Sequence, residues 1–121
     1  MVQLYGECAL FMTSDELKTL GGRFRRQGIA LSAFSHPAAW YCSSLLIGMA
    51  NWCEFPANLA NIDRTQEVIS LIESTVNVNE LTSLSSITFE TLDIGEILSL
   101  QRQLEDFEQC LRQVVSRYVV D

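Results

Sequence analysis

Seven apolar side chains, Ile97, Leu100, Leu104, Phe107, Leu111, Val114 and Tyr118, follow one another in strict 3-4-3-4-3-4 steps. On an α-helix that spacing draws one narrow stripe, and the stripe has to be buried against another surface. Gln101, Arg102, Glu105, Asp106, Glu108, Gln109, Arg112, Gln113 and Ser116 take the outward positions between them. Asp93 with Glu96 forms a capping box at the start, each satisfying a backbone N–H that the first helical turn leaves unpaired. Arg102 with Asp106, and Glu108 with Arg112, are i,i+4 pairs on the outer face, worth about 0.2–0.5 kcal/mol each. The last quarter of the chain is therefore one long amphipathic helix. Its seam packs either on the rest of this chain or on a second copy.

The remaining elements are shorter. Val2, Leu4, Cys8, Leu10 and Met12 alternate with Gln3, Glu7, Ala9 and Phe11, which reads as a strand bulged at Gly6 or a tight hairpin about Gly6-Glu7. Thr13 with Glu16 offers a capping box for a helix carrying Leu17, Leu20 and Phe24 on one face. Gly21-Gly22 weakens that helix, each glycine costing about 1 kcal/mol against alanine, and Gly28 is a natural stop. Ile29 to Phe34 reads as a short second strand. Pro37 suits the first turn of a helix, with Ser35 or His36 as its cap, running to about Cys53 and ended by Phe55-Pro56. Trp40, Tyr41, Trp52 and Phe55 concentrate here; core packing is the plain account, and an interface the alternative. Asp63 with Gln66 opens another helix, with Val68, Ile69, Ile72 and Val76 inward and Glu67 and Glu73 outward. Asn77-Val78-Asn79 reads as a turn, and Ile87, Phe89 and Thr91 as a half-buried strand. The sum is an α+β fold over residues 1–121: a single compact domain, mostly helical, with a small antiparallel sheet pairing the first and last strands under a cover of helices.

From Gly28 to Cys53 there is no Asp, Glu, Lys or Arg, but Pro37 divides the stretch. Its helical part falls short of the ~20 residues of a bilayer crossing, so it reads as the central helix of the core rather than a membrane span. Charge is unevenly shared. The formal net charge is −7, and residues 54–108 hold eleven acids against Arg64 and Arg102, a balance of −9. Such a field repels nucleic acid and anionic lipid, attracts basic proteins, and also keeps a small protein soluble. Lys18, Arg23, Arg25 and Arg26 form the one basic patch, read as an exposed helix end or as a surface for the acidic half of a second copy.

Cys8, Cys42, Cys53 and Cys110 include no C-x-x-C pair, so neither a zinc site nor a redox motif is expected, and no cofactor. Free thiols and the absence of a basic apolar leader predict a reduced, cytoplasmic protein. His36 is the only histidine, with Cys42 six residues on; that spacing is no catalytic signature, and a helix cap is the simpler role for His36. The glycines match neither a dinucleotide fingerprint nor a P-loop. The expectation is a protein without catalytic residues.

The opening segment, Leu4-Tyr5-Gly6 and then Phe11-x-Thr13-x-x-Glu16-Leu17-x-x-Leu20, resembles that of small bacterial toxin-immunity proteins. The resemblance covers fewer than twenty residues, and no functional residue is carried over from it. It implies a non-enzymatic inhibitor that neutralises a basic toxin domain, such as a nuclease. On charge alone the contact residues are expected among Glu67, Glu73, Glu80, Glu90, Glu105, Asp106 and Glu108, with electrostatic steering making capture fast. The alternative is a dimeric adaptor or secretion-type chaperone, a homodimer paired through the terminal seam.

Overall fold

In the computed structural model, which describes residues 12–119, every regular element is helical. The helices are α1 (Ser14–Ser32), α2 (Pro37–Glu54), α3 (Ile62–Thr75), α4 (Val78–Ser85) and α5 (Ile94–Val119), with short 3-10 turns at Phe55–Asn58 and Phe89–Thr91. The expected α+β fold with an antiparallel sheet is thus overturned in favour of a helical bundle. The strand expected before Met12 lies outside the described residues.

Three helix starts follow the cap chemistry read from the sequence. Thr13 accepts from the Glu16 N–H at 3.1 Å while the Glu16 carboxylate accepts from the Thr13 N–H at 2.8 Å. Asp93 and Glu96 repeat the arrangement at 2.8 and 3.0 Å. At α2, His36 Nδ1 accepts from the Ala38 N–H at 3.0 Å, and Pro37 takes the first helical position. Two other starts differ. Asn61, not Asp63, caps α3 by accepting from Arg64 N–H at 3.1 Å. Asn77, expected in a turn, caps α4 by accepting from Glu80 N–H at 3.2 Å. Asparagine serves a turn and an N-cap with the same side-chain acceptor, and Leu81 and Leu84, buried at an i,i+3 spacing, decide for the helix.

Both internal strands dissolve for a physical reason. Ile87, Phe89 and Thr91 do alternate, but no neighbouring strand offers a ladder among the described residues. Their backbone closes locally instead: Ile87 N–H donates to Leu84 O, Thr91 N–H to Thr88 O, and Leu92 N–H to Phe89 O. Only Phe89 is fully buried, as a single anchor. Ile29 to Ser32 continues α1, which runs straight through Gly28.

The glycines of α1 are contact points, not breaks. A Cβ on Gly21 would meet the Ala50 carbonyl at 2.9 Å and Glu54 Cγ at 2.6 Å. On Gly28 it would meet Ile47 Cδ1 at 2.8 Å and the Ser43 carbonyl at 3.1 Å. Seven residues apart, the two sit on one face and bring α2 against the α1 backbone. Ser43 Oγ then donates to the Gly28 carbonyl at 2.6 Å, and Arg25 bridges to Glu54 at 2.6 Å and to Asn51 at 2.8 Å. Arg25 and its basic neighbours are therefore in mid-helix rather than at a helix end. Leu17, Leu20, Phe24 and Leu31 from α1 join Leu46 and Met49 from α2 in the core.

α5 lays its seam on α2 and on α3. Ile97, Leu104, Phe107, Leu111, Val114 and Tyr118 are buried and Leu100 is half-buried, so the stripe is consumed within the chain. Each large apolar side chain so buried contributes about 1.5–3 kcal/mol. A homodimer would have to use some other face. No described helix is long and apolar enough to cross a membrane.

Alanine substitutions separate the roles of the adjacent glycines. At Gly22 the nearest atom to an added Cβ is the flexible Arg26 guanidinium at 3.9 Å, so Gly22→Ala gains about 0.4–1 kcal/mol from lost chain entropy. Gly21→Ala meets a backbone carbonyl that cannot yield and loses about 1–3 kcal/mol by overpacking. Urea denaturation of the two variants should move the midpoint in opposite directions; a shared direction would refute the close-approach role.

Candidate protein-binding face

The seven acids singled out by charge separate into three settings. Glu105, Asp106 and Glu108 project from the middle of α5 toward α2. Tyr41 O–H donates to Glu105 Oε2 at 2.7 Å, and Trp52 Nε1–H donates to Glu108 Oε2 at 3.1 Å. The Glu108 carboxylate rests over Gly48, where an added Cβ would lie 3.4 Å from Oε2. Arg102 pairs with Asp106 at 3.3 Å and Arg112 with Glu108 at 3.7 Å, the i,i+4 contacts expected from the sequence. Tyr41, Arg102, Glu105, Asp106, Glu108 and Arg112 line an open groove of about 580 Å³ between α2 and α5. A smaller groove of about 180 Å³ runs along the opposite flank of α5, where Glu80 and Asn77 face Asp106 and Cys110. Asp106 belongs to both.

Glu67 and Glu73 are engaged elsewhere. Tyr118 O–H donates to Glu67 Oε2 at 2.8 Å, tying α5 to α3, and the Arg64 guanidinium lies 5.3 Å from the Tyr118 ring centre. Glu73 does not point outward as expected. It is half-buried and accepts from the Met12 N–H, while its second oxygen is buried with no partner among the described residues. Burial, assisted by the nearby Glu16, pushes its carboxyl above the ordinary range against the lowering effect of that N–H. Glu90 stands apart in the second 3-10 turn, in a cleft that it shares with Arg23 and Arg26. So Glu80, Glu105, Asp106 and Glu108 form one face, and the other three do not belong to it.

Trp40 and Tyr41 correct the core assignment of the aromatics: they are 53% and 43% exposed. A helical wheel through Cys42, Leu45, Leu46, Met49 and Cys53 accounts for this, since Trp40 falls opposite that face and Tyr41 on its flank. Trp52, eleven residues beyond Tyr41, falls on the same flank, which is why both reach α5. The wheel carries the signal that residue type alone conceals. The donated hydrogen bond to Glu105 raises the Tyr41 pKa, and burial followed by the Glu67 contact raises that of Tyr118. Each phenol thus keeps the proton that it gives to its carboxylate.

His36 and Cys42 form no activated pair. The His36 Nδ1 lone pair is spent on the helix cap, and Cys42 is fully buried, its thiol pushed up by burial and then by Glu105. Cys53 is pushed up to about 12 by burial and the neighbouring Glu54. Nucleophilic thiols need the reverse shift. Among the described residues no three His, Cys, Asp or Glu side chains converge as metal ligands.

No family model matches the chain, and neither a curated protein nor a solved structure matches it.

Two outcomes check these environments. In the folded chain, iodoacetamide should modify half-buried Cys110 well ahead of Cys42 and Cys53, as read by peptide mass mapping; preferential labelling of Cys42 would overturn the burial argument. For Glu73, the folded state binds a proton more tightly than the unfolded chain, so its contribution to stability declines as pH rises from about 4.3 through the raised value. Glu73→Gln keeps an acceptor for the Met12 N–H and removes the charge. The variant should equal or exceed the parent in urea midpoint at pH 7, with the difference closing as the pH is lowered through the carboxylate range. A variant clearly weaker at pH 7 would reverse the sign assigned here.

Proposed function

We propose that the protein is a non-enzymatic binding module that captures a basic protein partner on the acidic face of α5, and that its role is that of an immunity protein neutralising a toxin domain. The observation that carries this reading is the clustering of Glu80, Glu105, Asp106 and Glu108 around two adjoining grooves that share Asp106. Exposed Trp40 and Tyr41 at the start of α2 add amphipathic aromatic surface of the kind enriched in binding hot spots. Arg102 and Arg112 interleave with the acids, which gives the face a charge pattern as well as a sign, and patterned charge selects partners by penalising mismatched ones. Self-association through the α5 seam finds no support, because that seam is already covered.

The test uses the protein encoded by the gene immediately upstream of this one as partner, with association followed by surface plasmon resonance. Glu80→Gln, Glu105→Gln and Asp106→Asn spare the core, and the amide oxygen that replaces the Glu105 carboxylate can still accept from Tyr41. The triple variant should associate roughly tenfold more slowly at low salt, with a shallower salt dependence and little change in dissociation rate. Unchanged association, or no complex with the parent protein, would refute the reading.

A further inference from the structure

Away from the acidic face, α1 carries Arg23, Arg26 and Gln27 along one side, three and four residues apart. Facing them is the stretch from Ser85 to Glu90 that leaves α4 and enters the second 3-10 turn. Between the two walls lies an open cleft of about 440 Å³, lined by Arg23, Arg26, Gln27, Ser86, Thr88 and Glu90 among others. Gln27 holds the walls at a set separation, since its Nε2 donates to the Leu84 and Ile87 carbonyls, each at 2.9 Å.

Three features of the cleft are unspent. Arg23 and Arg26 are exposed, and neither makes an ion pair or hydrogen bond among the described residues. That is unexpected in a chain with fifteen acids against eight bases, all the more because Glu90 lines the same cleft without pairing to either. The Thr88 hydroxyl on the opposite wall also has no partner among the described residues. Behind them Gln27, more than nine-tenths buried, has an amide oxygen shut off from solvent that receives no donor among the described residues. Three of the last four carbonyls of α4, which would repel an anion, are already occupied. Thr82 O accepts from the Ser85 and Ser86 hydroxyls, Ser83 O from the Ser86 N–H, and Leu84 O from Ile87 N–H and Gln27.

We propose that this cleft binds a small phosphate monoester. Two guanidinium forks and a hydroxyl on the far wall supply more donors than the two oxygens of a carboxylate can use, whereas a phosphate ester presents three strong acceptor oxygens. Arginine is the side chain that matches such a group with paired N–H donors. The volume suits a small molecule. An extended polyanion is disfavoured, because the net charge of −7 opposes it everywhere except at these two arginines.

The test is titration of the ¹⁵N-labelled full chain with glucose 6-phosphate, inorganic phosphate and glucose at constant ionic strength, read as amide chemical shifts. Glucose 6-phosphate should give saturable shifts confined to residues around Arg23–Gln27 and Ser85–Glu90, inorganic phosphate should move the same amides, and glucose should move none. Arg23→Gln and Arg26→Gln should each weaken binding by roughly tenfold, about 1.4 kcal/mol. Arg117→Gln removes an equal charge from α5, away from the cleft, and should leave binding unchanged. Since neither cleft arginine holds another part of the protein, both variants should melt like the parent. The proposal is overturned if no phosphate-bearing probe gives saturable shifts, if the shifts lie elsewhere, or if Arg117→Gln weakens binding as much as the cleft variants do.

Discussion

The close approach of α1 and α2 at Gly21 and Gly28 sets the terms for everything packed around it. Glycine in a helix costs about 1 kcal/mol of propensity, and α1 carries three. Two of them admit backbone and side-chain atoms of α2 into space that a methyl group would fill. The return is a broad shared surface: Phe24 and Leu31 pack with Leu46 and Met49, Ser43 bonds directly to the Gly28 carbonyl, and Arg25 reaches Glu54. Within that hairpin α2 carries the surface on which, together with α3, the α5 seam lies. Were the axes forced apart, α2 would move away from α1 and take with it the face that it turns to α5. Gly22, the neighbour that touches nothing closely, shows that the requirement belongs to position and not to composition.

A second regularity follows from the shortage of bases. With fifteen acids and eight Lys or Arg, cations cannot serve every carboxylate, and three carboxylates accept from aromatic donors, Glu108 alongside its contact with Arg112. Tyr41 bonds to Glu105, Trp52 to Glu108 and Tyr118 to Glu67, and each of these links joins two helices. A hydrogen bond to a charged acceptor contributes about 1.5–3 kcal/mol when shielded, less where water competes. Aromatic side chains also lose less conformational entropy than lysine when fixed. The aromatic residues on the flank of α2 thus act both as packing surface and as the counter-groups that lysines supply in other acidic proteins.

Local chemistry is legible in the sequence and pairing is not. The capping boxes at Thr13 and Asp93, the His36-Pro37 start and the whole α5 seam depend on residues within one helix, and all can be read from spacing. What Gly21 and Gly28 do depends on Ala50, Ser43 and Ile47, fifteen to twenty-nine residues away, so the same glycines read as weak points and a stop. The alternation at Ile87 and Phe89 is real, but a strand needs a partner that no local pattern supplies, and without one the segment closes on itself. The acids illustrate the same limit. Charge counting finds Glu105, Asp106 and Glu108 together with Glu67 and Glu73, yet only the fold sorts those facing a common groove from those committed to Tyr118 and Met12. The Arg23–Arg26 cleft is invisible for the same reason, since its walls are some sixty residues apart in sequence.

The aromatic links bear on whether the α5 face can bind at all, because a carboxylate already bonded inside the protein is in principle lost to a partner. The donor count says otherwise. An ionised carboxylate has about four lone-pair sites, and Tyr41 occupies one on Glu105 while Trp52 and Arg112 occupy two on Glu108. Enough remains for an incoming arginine, and what the link removes is the freedom of the glutamate side chain. Ordering a mobile glutamate at an interface costs about 0.5–1.5 kcal/mol at the moment of binding; here much of that cost is met when the chain folds. Glu80 and Asp106, exposed and less constrained, lack this advantage but contribute field without strain. The face therefore combines oriented acceptors near α2 with freer charge toward α4, and a basic partner of the kind proposed would gain orientation on one flank and attraction from both.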